Sequence, residues 1–224
     1  MGATSDHRRR LCAAAASMDV GLDSSQVDVL LEYIHQLQRW NRSYNLTALR
    51  DPEQMLVQHL FDSLSIVASM RELVGMQPAQ EVHIVDVGSG GGLPGIVLAT
   101  VFPACQVTCI DAVEKKVSFV RQMSGVLGLG NLQGTHARVE SLAPLEARVV
   151  ISRAFASLAD FATLAGRHVS HDGRLLAMKG REPLEEIKAL EEQTPWRVEH
   201  IEPLIVPELD AQRCLIRMNR LGTL

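Results

Sequence analysis

The chain has 224 residues, 46% of them hydrophobic, and a formal net charge of −4. That length and apolar content suffice for a sizeable core and exclude an intrinsically disordered chain. The net acidity excludes a protein coated in basic residues, so any contact with nucleic acid must run through a local patch of Lys and Arg.

The first 80 residues read as helical. SSQVDVLLEYIHQLQRWN places Val27, Leu30, Leu31, Ile34 and Leu37 at helical spacing, with Ser24 as the expected cap and Asp28 in the first turn. Asp51-Pro52 offers a second start, an N-cap followed by proline at the first helical position, and EQMLVQHLFDSLSIVASMREL continues it as helix. MGATSD has neither a signal-peptide core nor the myristoylation pattern, since Asp6 stands where Ser or Thr is needed. No apolar run reaches membrane-spanning length, so a soluble cytoplasmic protein, with no membrane partner, is expected.

After Pro78 the texture changes. VHIVDV (82–87) and QVTCIDA (106–112) read as buried strands, and EKKVSFVRQMSGVLGL (114–129) as an amphipathic helix between turns. VVISRAF (149–155) and RLLAMKG (174–180) repeat the strand pattern around a helical SLADFATLAGRHV. WRVEHIEPLIV and RCLIRMN, joined by PELDAQ, predict an antiparallel pair. Alternating strands and helices imply right-handed crossovers and a mainly parallel sheet. The expected layout is a helical segment over residues 1–80 packed on an α/β domain over 81–224. Four scattered cysteines without C-x-x-C spacing, of which Cys105 and Cys109 fall in or beside an apolar run, predict buried free thiols and no metal site.

VDVGSGGGLPGIVLA (85–99) carries the chemistry. Gly90, Gly92 and Gly95 match G-x-G-x-x-G between a strand and a helix, which suggests a dinucleotide site. Two residues point elsewhere. Asp86 at the strand's end repels a pyrophosphate and suits a ligand with an ammonium group, and Pro94 removes one donor from an anion cradle. S-adenosylmethionine carries an amino group, a carboxylate and a sulfonium, so it fits such an acid beside free backbone N–H groups. Asp111 ends the next strand, where a carboxylate accepts hydrogen bonds from ribose hydroxyls in NAD and S-adenosylmethionine alike. An NAD-binding protein therefore stays open at this point.

The sequence resembles the RsmG (GidB) family of bacterial 16S ribosomal RNA methyltransferases, which make N7-methylguanosine. The resemblance covers nearly the whole chain. It rests on RWNRSYNLTALRDPEQMLVQHLFDSL (39–64), the glycine stretch, IDAVEKKVSFVRQ (110–122), ARVESL (137–142), ISRAFASLADF (151–161) and MKG (178–180). It implies a class I S-adenosylmethionine-dependent methyltransferase: a Rossmann-like α/β fold with a mainly parallel seven-stranded sheet. It further implies that Gly88, Leu93, Val139 and Glu140 bind the cofactor and that Arg153 lies at the cofactor–substrate boundary. The expected partner is 16S ribosomal RNA or the assembling small subunit, met by a monomer. A methyltransferase of the same fold acting on a small molecule or a protein is the alternative.

The motifs that are missing agree with N7 chemistry. There is no Asn/Asp-Pro-Pro-aromatic tetrad for exocyclic amines and no cysteine set for attack on cytosine. Guanine N7 has an exposed lone pair and no proton to lose, so positioning and desolvation are the main requirements. Arg153 is the first candidate for positioning the substrate, because its guanidinium makes bidentate contacts, and Lys179 is the second. Lys115, Lys116, Arg121 and Arg181 are further candidates for a basic patch. His59 and Asp62 share a helix at i, i+3 and read as a clasp between the helical segment and the core, with Asn45 and Thr47 shaping the preceding turn.

Overall fold

A computed structural model describes residues 2–75, 82–153 and 155–222. The boundary expected after residue 80 lies outside these residues, as does Ala154 within ISRAF.

The strands are the six runs read from the sequence and one that was not anticipated, LQGTH (132–136), which has Thr135 as its one β-branched residue. They are β1 (His83–Val87), β2 (Gln106–Asp111), β3 (Leu132–His136), β4 (Ala147–Ser152), β5 (Val169–Lys179), β6 (Trp196–Leu204) and β7 (Arg213–Arg220). They make one seven-stranded sheet in the order β3-β2-β1-β4-β5-β7-β6. All neighbours are parallel except β7, which runs antiparallel to both β5 and β6. The order turns back at β1, which pairs with β2 on one side and β4 on the other. In an open sheet the crevice beyond the carboxyl ends at that point is where ligands bind.

Period-two alternation gives the central strands two buried faces. Ile84, Val107, Cys109, Val149 and Ile151 pack into one apolar cluster, while Val85, Val87, Ile110, Val150 and Leu175 pack into the other. The first cluster is completed by the N-terminal helices: α1 (Gly2–Ser17), α2 (Ser24–Tyr44), α3 (Pro52–Met55), a π-helical turn (Leu56–Phe61), α4 (Asp62–Leu64) and α5 (Val67–Gly75). Leu30 and Leu37 of α2 are fully buried there, each worth about 1.5–3 kcal/mol of apolar burial. The N-terminal segment is thus one layer of the sandwich. The remaining helices α6 (Gly95–Val101), α7 (Glu114–Val126), α8 (Leu158–Ala165) and α9 (Leu184–Gln193) follow the strands as crossovers. Among the described residues no helix is long and apolar enough to cross a membrane.

Several local expectations are corrected. The cap of α2 is Asp23, not Ser24: its carboxylate accepts from the Gln26 N–H while the Gln26 side chain returns a bond to the Asp23 N–H, a full capping box. Asp51 and Pro52 start α3 as expected, but the helix is then interrupted by the π turn and by a turn at Ser65-Ile66. β4 stops at Ser152, so Arg153 and Phe155 leave the sheet. Helix α8 ends at Ala165, and His168 closes a 3-10 turn that leads into β5 five residues before the expected strand. The extension rests on Gly173, where a Cβ would stand 2.7 Å from the Ala147 carbonyl beside a register shift in β4.

Candidate active site

The glycine turn joins β1 to α6 at the point where strand order turns back. Gly88, Gly90 and Gly92 have φ of 70°, 59° and 90°, a region that L side chains rarely adopt. At Gly95 the demand is closeness: a Cβ there would sit 2.3 Å from Cys109 Sγ. The turn consumes its own amides. The Gly88 and Ser89 N–H groups donate to the Ile110 carbonyl at 2.8 and 3.1 Å, and those of Gly92 and Leu93 both donate to the Ser89 carbonyl at 2.9 Å. The Gly90 N–H donates to Asp111 Oδ2 at 2.9 Å and the Gly95 N–H to Asp86 Oδ2 at 2.8 Å. A diphosphate needs such donors free, so this is no phosphate cradle. The same finding corrects the expectation of free amides for a cofactor carboxylate. What the turn offers is backbone proximity, with open space where a Cβ on Gly90 would point.

Asp86 is fully buried beneath the turn, and its Oδ1 has no hydrogen-bond partner. Burial pushes its pKa up to about 7, against the pull of the Gly95 N–H. With Oδ2 bonded to the Gly95 N–H and the side chain fully buried, Asp86 ties the first turn of α6 to β1 rather than facing open space. Asp111 stands nearer the surface, 7% exposed. Its Oδ1 accepts from the Val113 N–H at 2.9 Å, and Lys116 Nζ lies 3.7 Å from its Oδ2. Both carboxylate oxygens keep a lone pair for a further donor.

The other cofactor candidates differ in exposure. Leu93 is buried in the cluster that holds the N-terminal helices, and Val139 in the cluster on the opposite face. Val139 opens a 3-10 turn, and its carbonyl lies 2.9 Å from His168 Nε2. Glu140 beside it is exposed, 3.9 Å from Arg138. From the N-terminal layer, the buried Tyr33 hydroxyl donates to the Gly91 carbonyl at 2.9 Å.

A cleft of about 390 Å³ opens past the ends of β4 and β5. It is lined by Leu49, Gln58, His59, Asp62, Arg153, Met178, Lys179, Gly180 and Arg213, and so unites four of the sequence candidates. Arg153 is paired with Asp62, with Nη1 3.3 Å from Oδ2. The same Nη1 donates to the Gln58 carbonyl at 3.0 Å. The other Asp62 oxygen accepts from Arg213 Nε at 2.9 Å, so one buried carboxylate fixes two guanidiniums at the rim. His59 sits against Thr47 Oγ1 at 3.1 Å, and burial with Arg153 nearby lowers its pKa to about 4. Lys179, also at the rim, is engaged: its Nζ donates to Glu186 at 2.7 Å and to the Phe155 carbonyl at 3.2 Å, holding the segment after β4.

Arg213 and Gln58 were not anticipated. Arg213 reaches the cleft because β7 pairs antiparallel with β5, Cys214 opposite Lys179, whereas the sequence shows only the β6–β7 pairing. Gln58 lines the cleft from the π turn, and π turns break helical periodicity without a composition signal.

A family model described as rRNA small subunit methyltransferase G (GidB) matches residues 26–216. A protein of Bordetella petrii named ribosomal RNA small subunit methyltransferase G is 60% identical over 215 residues, covering 96% of this chain and 84% of that one. A protein of the same name from Leptothrix cholodnii is 48% identical, with 95% of each chain covered. Among solved structures, a SAM dependent methyltransferase from Aquifex aeolicus aligns with a TM-score of 0.56 at 19% identity, over 78% of this chain and 96% of that one. Ribosomal protein L11 methylase from Lactobacillus delbrueckii subsp. bulgaricus aligns at 0.53 and 12%, over 76% and 79%. These two likenesses establish the fold.

Proposed function

The chain belongs to the ribosomal RNA small subunit methyltransferase G family, and on that basis we propose that it transfers a methyl group from S-adenosylmethionine to N7 of a guanosine in 16S ribosomal RNA. The substrate is met in the cytoplasm, as free RNA or in the assembling small subunit.

The observation that carries the N7 assignment is the character of the cleft. It holds two positive guanidiniums, and its titratable groups are spoken for. Asp62 is bonded to Arg153 and Arg213, Lys179 to Glu186, and His59 is a weak base with a pKa near 4. A methyl acceptor that must lose a proton needs a base there; guanine N7 does not.

The residues at the turn fit S-adenosylmethionine. Space is open above Gly90, and Asp111 has lone pairs left for ribose hydroxyls. Gly88, Gly90 and Gly92 would let the backbone lie against the amino-acid tail, with Leu93 beneath, and Val139 and Glu140 would border the adenine. The cofactor supplies an electrophilic methyl on its sulfonium. Arg153 and Arg213 donate to the guanine O6 or to the flanking phosphate, and Asp62 holds both in a fixed relation to the turn. Catalysis is then positioning and exclusion of water.

The test is methylation of unmethylated small subunits with labelled S-adenosylmethionine, followed by digestion to nucleosides. Label in 7-methylguanosine is the expected result. Label in any other nucleoside contradicts the assignment.

A further inference from the structure

The stretch 33–50, YIHQLQRWNRSYNLTALR, has three arginines and no acid, in a chain with 26 acidic residues and 22 Lys and Arg. Arg39, Arg42 and Arg50 are exposed, and none has a carboxylate partner among the described residues. The contrast with α1 is sharp. There Arg8, Arg9 and Arg10 pair with Asp28, with Asp6, and with Glu53 and Glu208 respectively. In the middle of the unpaired set stands Tyr44, 48% exposed. Its ring is braced by Trp40 at 5.0 Å, and Trp40 packs edge-on against the buried Phe119 at 5.4 Å.

The turn that follows is rigid and leads to the cleft. The Asn41 side chain donates to the Leu49 carbonyl and accepts from the Thr47 N–H, both at 2.9 Å. Thr47 Oγ1 accepts from the Leu49 N–H at 3.2 Å and meets His59 at 3.1 Å. Leu49 itself lines the cleft. Leu49 lies five positions after Tyr44, which caps their distance at ~18 Å, within reach of a few nucleotides.

We propose that this turn docks the unpaired RNA strand flanking the target guanosine, with one base stacked on Tyr44 and its phosphates on Arg42 and Arg50. The proposal rests on the ribosomal RNA reading above. A half-exposed aromatic ring stacks only on a base that is out of a duplex, so the strand is single there. Base–aromatic stacking contributes roughly 1–3 kcal/mol and tolerates any base, which suits a contact that positions the strand without choosing the target. These arginines, free of carboxylate partners, with Arg50 held by Asn45 Oδ1 at 3.1 Å, supply the phosphate contacts that an acidic protein must localise.

The test uses the full chain and small subunits from cells lacking this methylation. Tyr44→Ala is expected to raise KM for the subunit by roughly 5- to 150-fold, matching the stacking energy. The kcat should stay within about twofold of wild type, and S-adenosylmethionine should bind unchanged by calorimetry. Tyr44→Phe should restore KM. The double variant Arg42→Gln, Arg50→Gln should flatten the slope of log KM against log salt by about 1.4, two phosphates' worth for a single strand. An unchanged KM in Tyr44→Ala, a Tyr44→Phe no better than alanine, or an unchanged salt slope overturns the proposal. Should Tyr44→Ala lose cofactor binding, the arginine pair decides alone. A wild-type protein that methylates no subunit contradicts the functional reading instead.

Discussion

The Tyr33 hydroxyl donates to the Gly91 carbonyl across 2.9 Å, so α2 of the N-terminal layer holds the outer bend of the glycine turn. Tyr33 is fully buried, and a Cβ on Gly91 would press Leu37 Cδ1 of the same helix at 3.1 Å. Tyr33→Phe should therefore loosen the turn without unfolding it. The expected cost is ~1 kcal/mol in urea unfolding, because a buried acceptor loses its donor. The dissociation constant for S-adenosylmethionine should rise roughly threefold to tenfold, as 1 kcal/mol is about a factor of five. Calorimetric titration checks it, and unchanged affinity would separate the layer from the site.

Asp62 fixes Arg153 and Arg213 at once, so its removal frees both cations. Asp62→Asn should cost about 2 kcal/mol of stability, below the value for a fully buried pair because each arginine is about a quarter exposed. Methyl transfer should fall more than tenfold while cofactor affinity stays within about twofold. Steady-state kinetics beside calorimetry reads both, and full activity would make the bridge structural only.

Two buried groups give opposite pH dependences. His59 takes its proton near 4 in the folded protein and at about 6.5 when unfolded, so native stability falls as pH drops from about 6.5 to 4. His59→Gln should remove up to ~3 kcal/mol of that loss. Asp86 has its folded pKa raised to about 7, so the folded state disfavours its ionised form and stability falls as pH rises from about 4 through 7. Asp86→Asn keeps an acceptor for the Gly95 N–H and should gain up to ~4 kcal/mol over wild type at pH 8, and nothing at pH 4. Urea unfolding of each variant against wild type at pH 4, 6 and 8 measures both differences.

Asp111 binds the Gly90 and Val113 N–H groups, and the proposed function gives its remaining lone pairs to the cofactor ribose. Asp111→Asn keeps one acceptor and loses the charge. Cofactor affinity should fall about 10- to 100-fold, in line with charge-assisted hydrogen bonds of roughly 1.5–3 kcal/mol. Circular dichroism should show the fold intact. Unchanged affinity would move the ribose elsewhere.

Six strands were legible as short apolar runs, and the β6–β7 pairing because PELDAQ is a short connection, whereas the edge strand β3 was not, because LQGTH has Thr135 as its one β-branched residue and no apolar run. The glycine turn was legible as a place, but the direction of its amides was not. Whether an N–H points out or back to Ile110 and Ser89 depends on φ at Gly88, Gly90 and Gly92, which glycine leaves open. The burial of Asp86 was hidden for a related reason, since a strand-end acid points up or down according to the packing of α6 on Cys109. Arg153 was found, and its partner was missed, because Asp62 lies 91 residues away and arrives only through the fold.

The central claim is methylation at guanine N7, and it is tested most directly on the RNA itself. Small subunits from cells lacking the enzyme are incubated with this protein and S-adenosylmethionine. Their 16S RNA is then treated with borohydride and aniline, which cleave the chain at 7-methylguanosine. The account predicts new cleavage at one guanosine, dependent on the cofactor and lost in Asp62→Asn. Methyl incorporation without cleavage, placing the group on an amine, a carbon or a ribose, would contradict it.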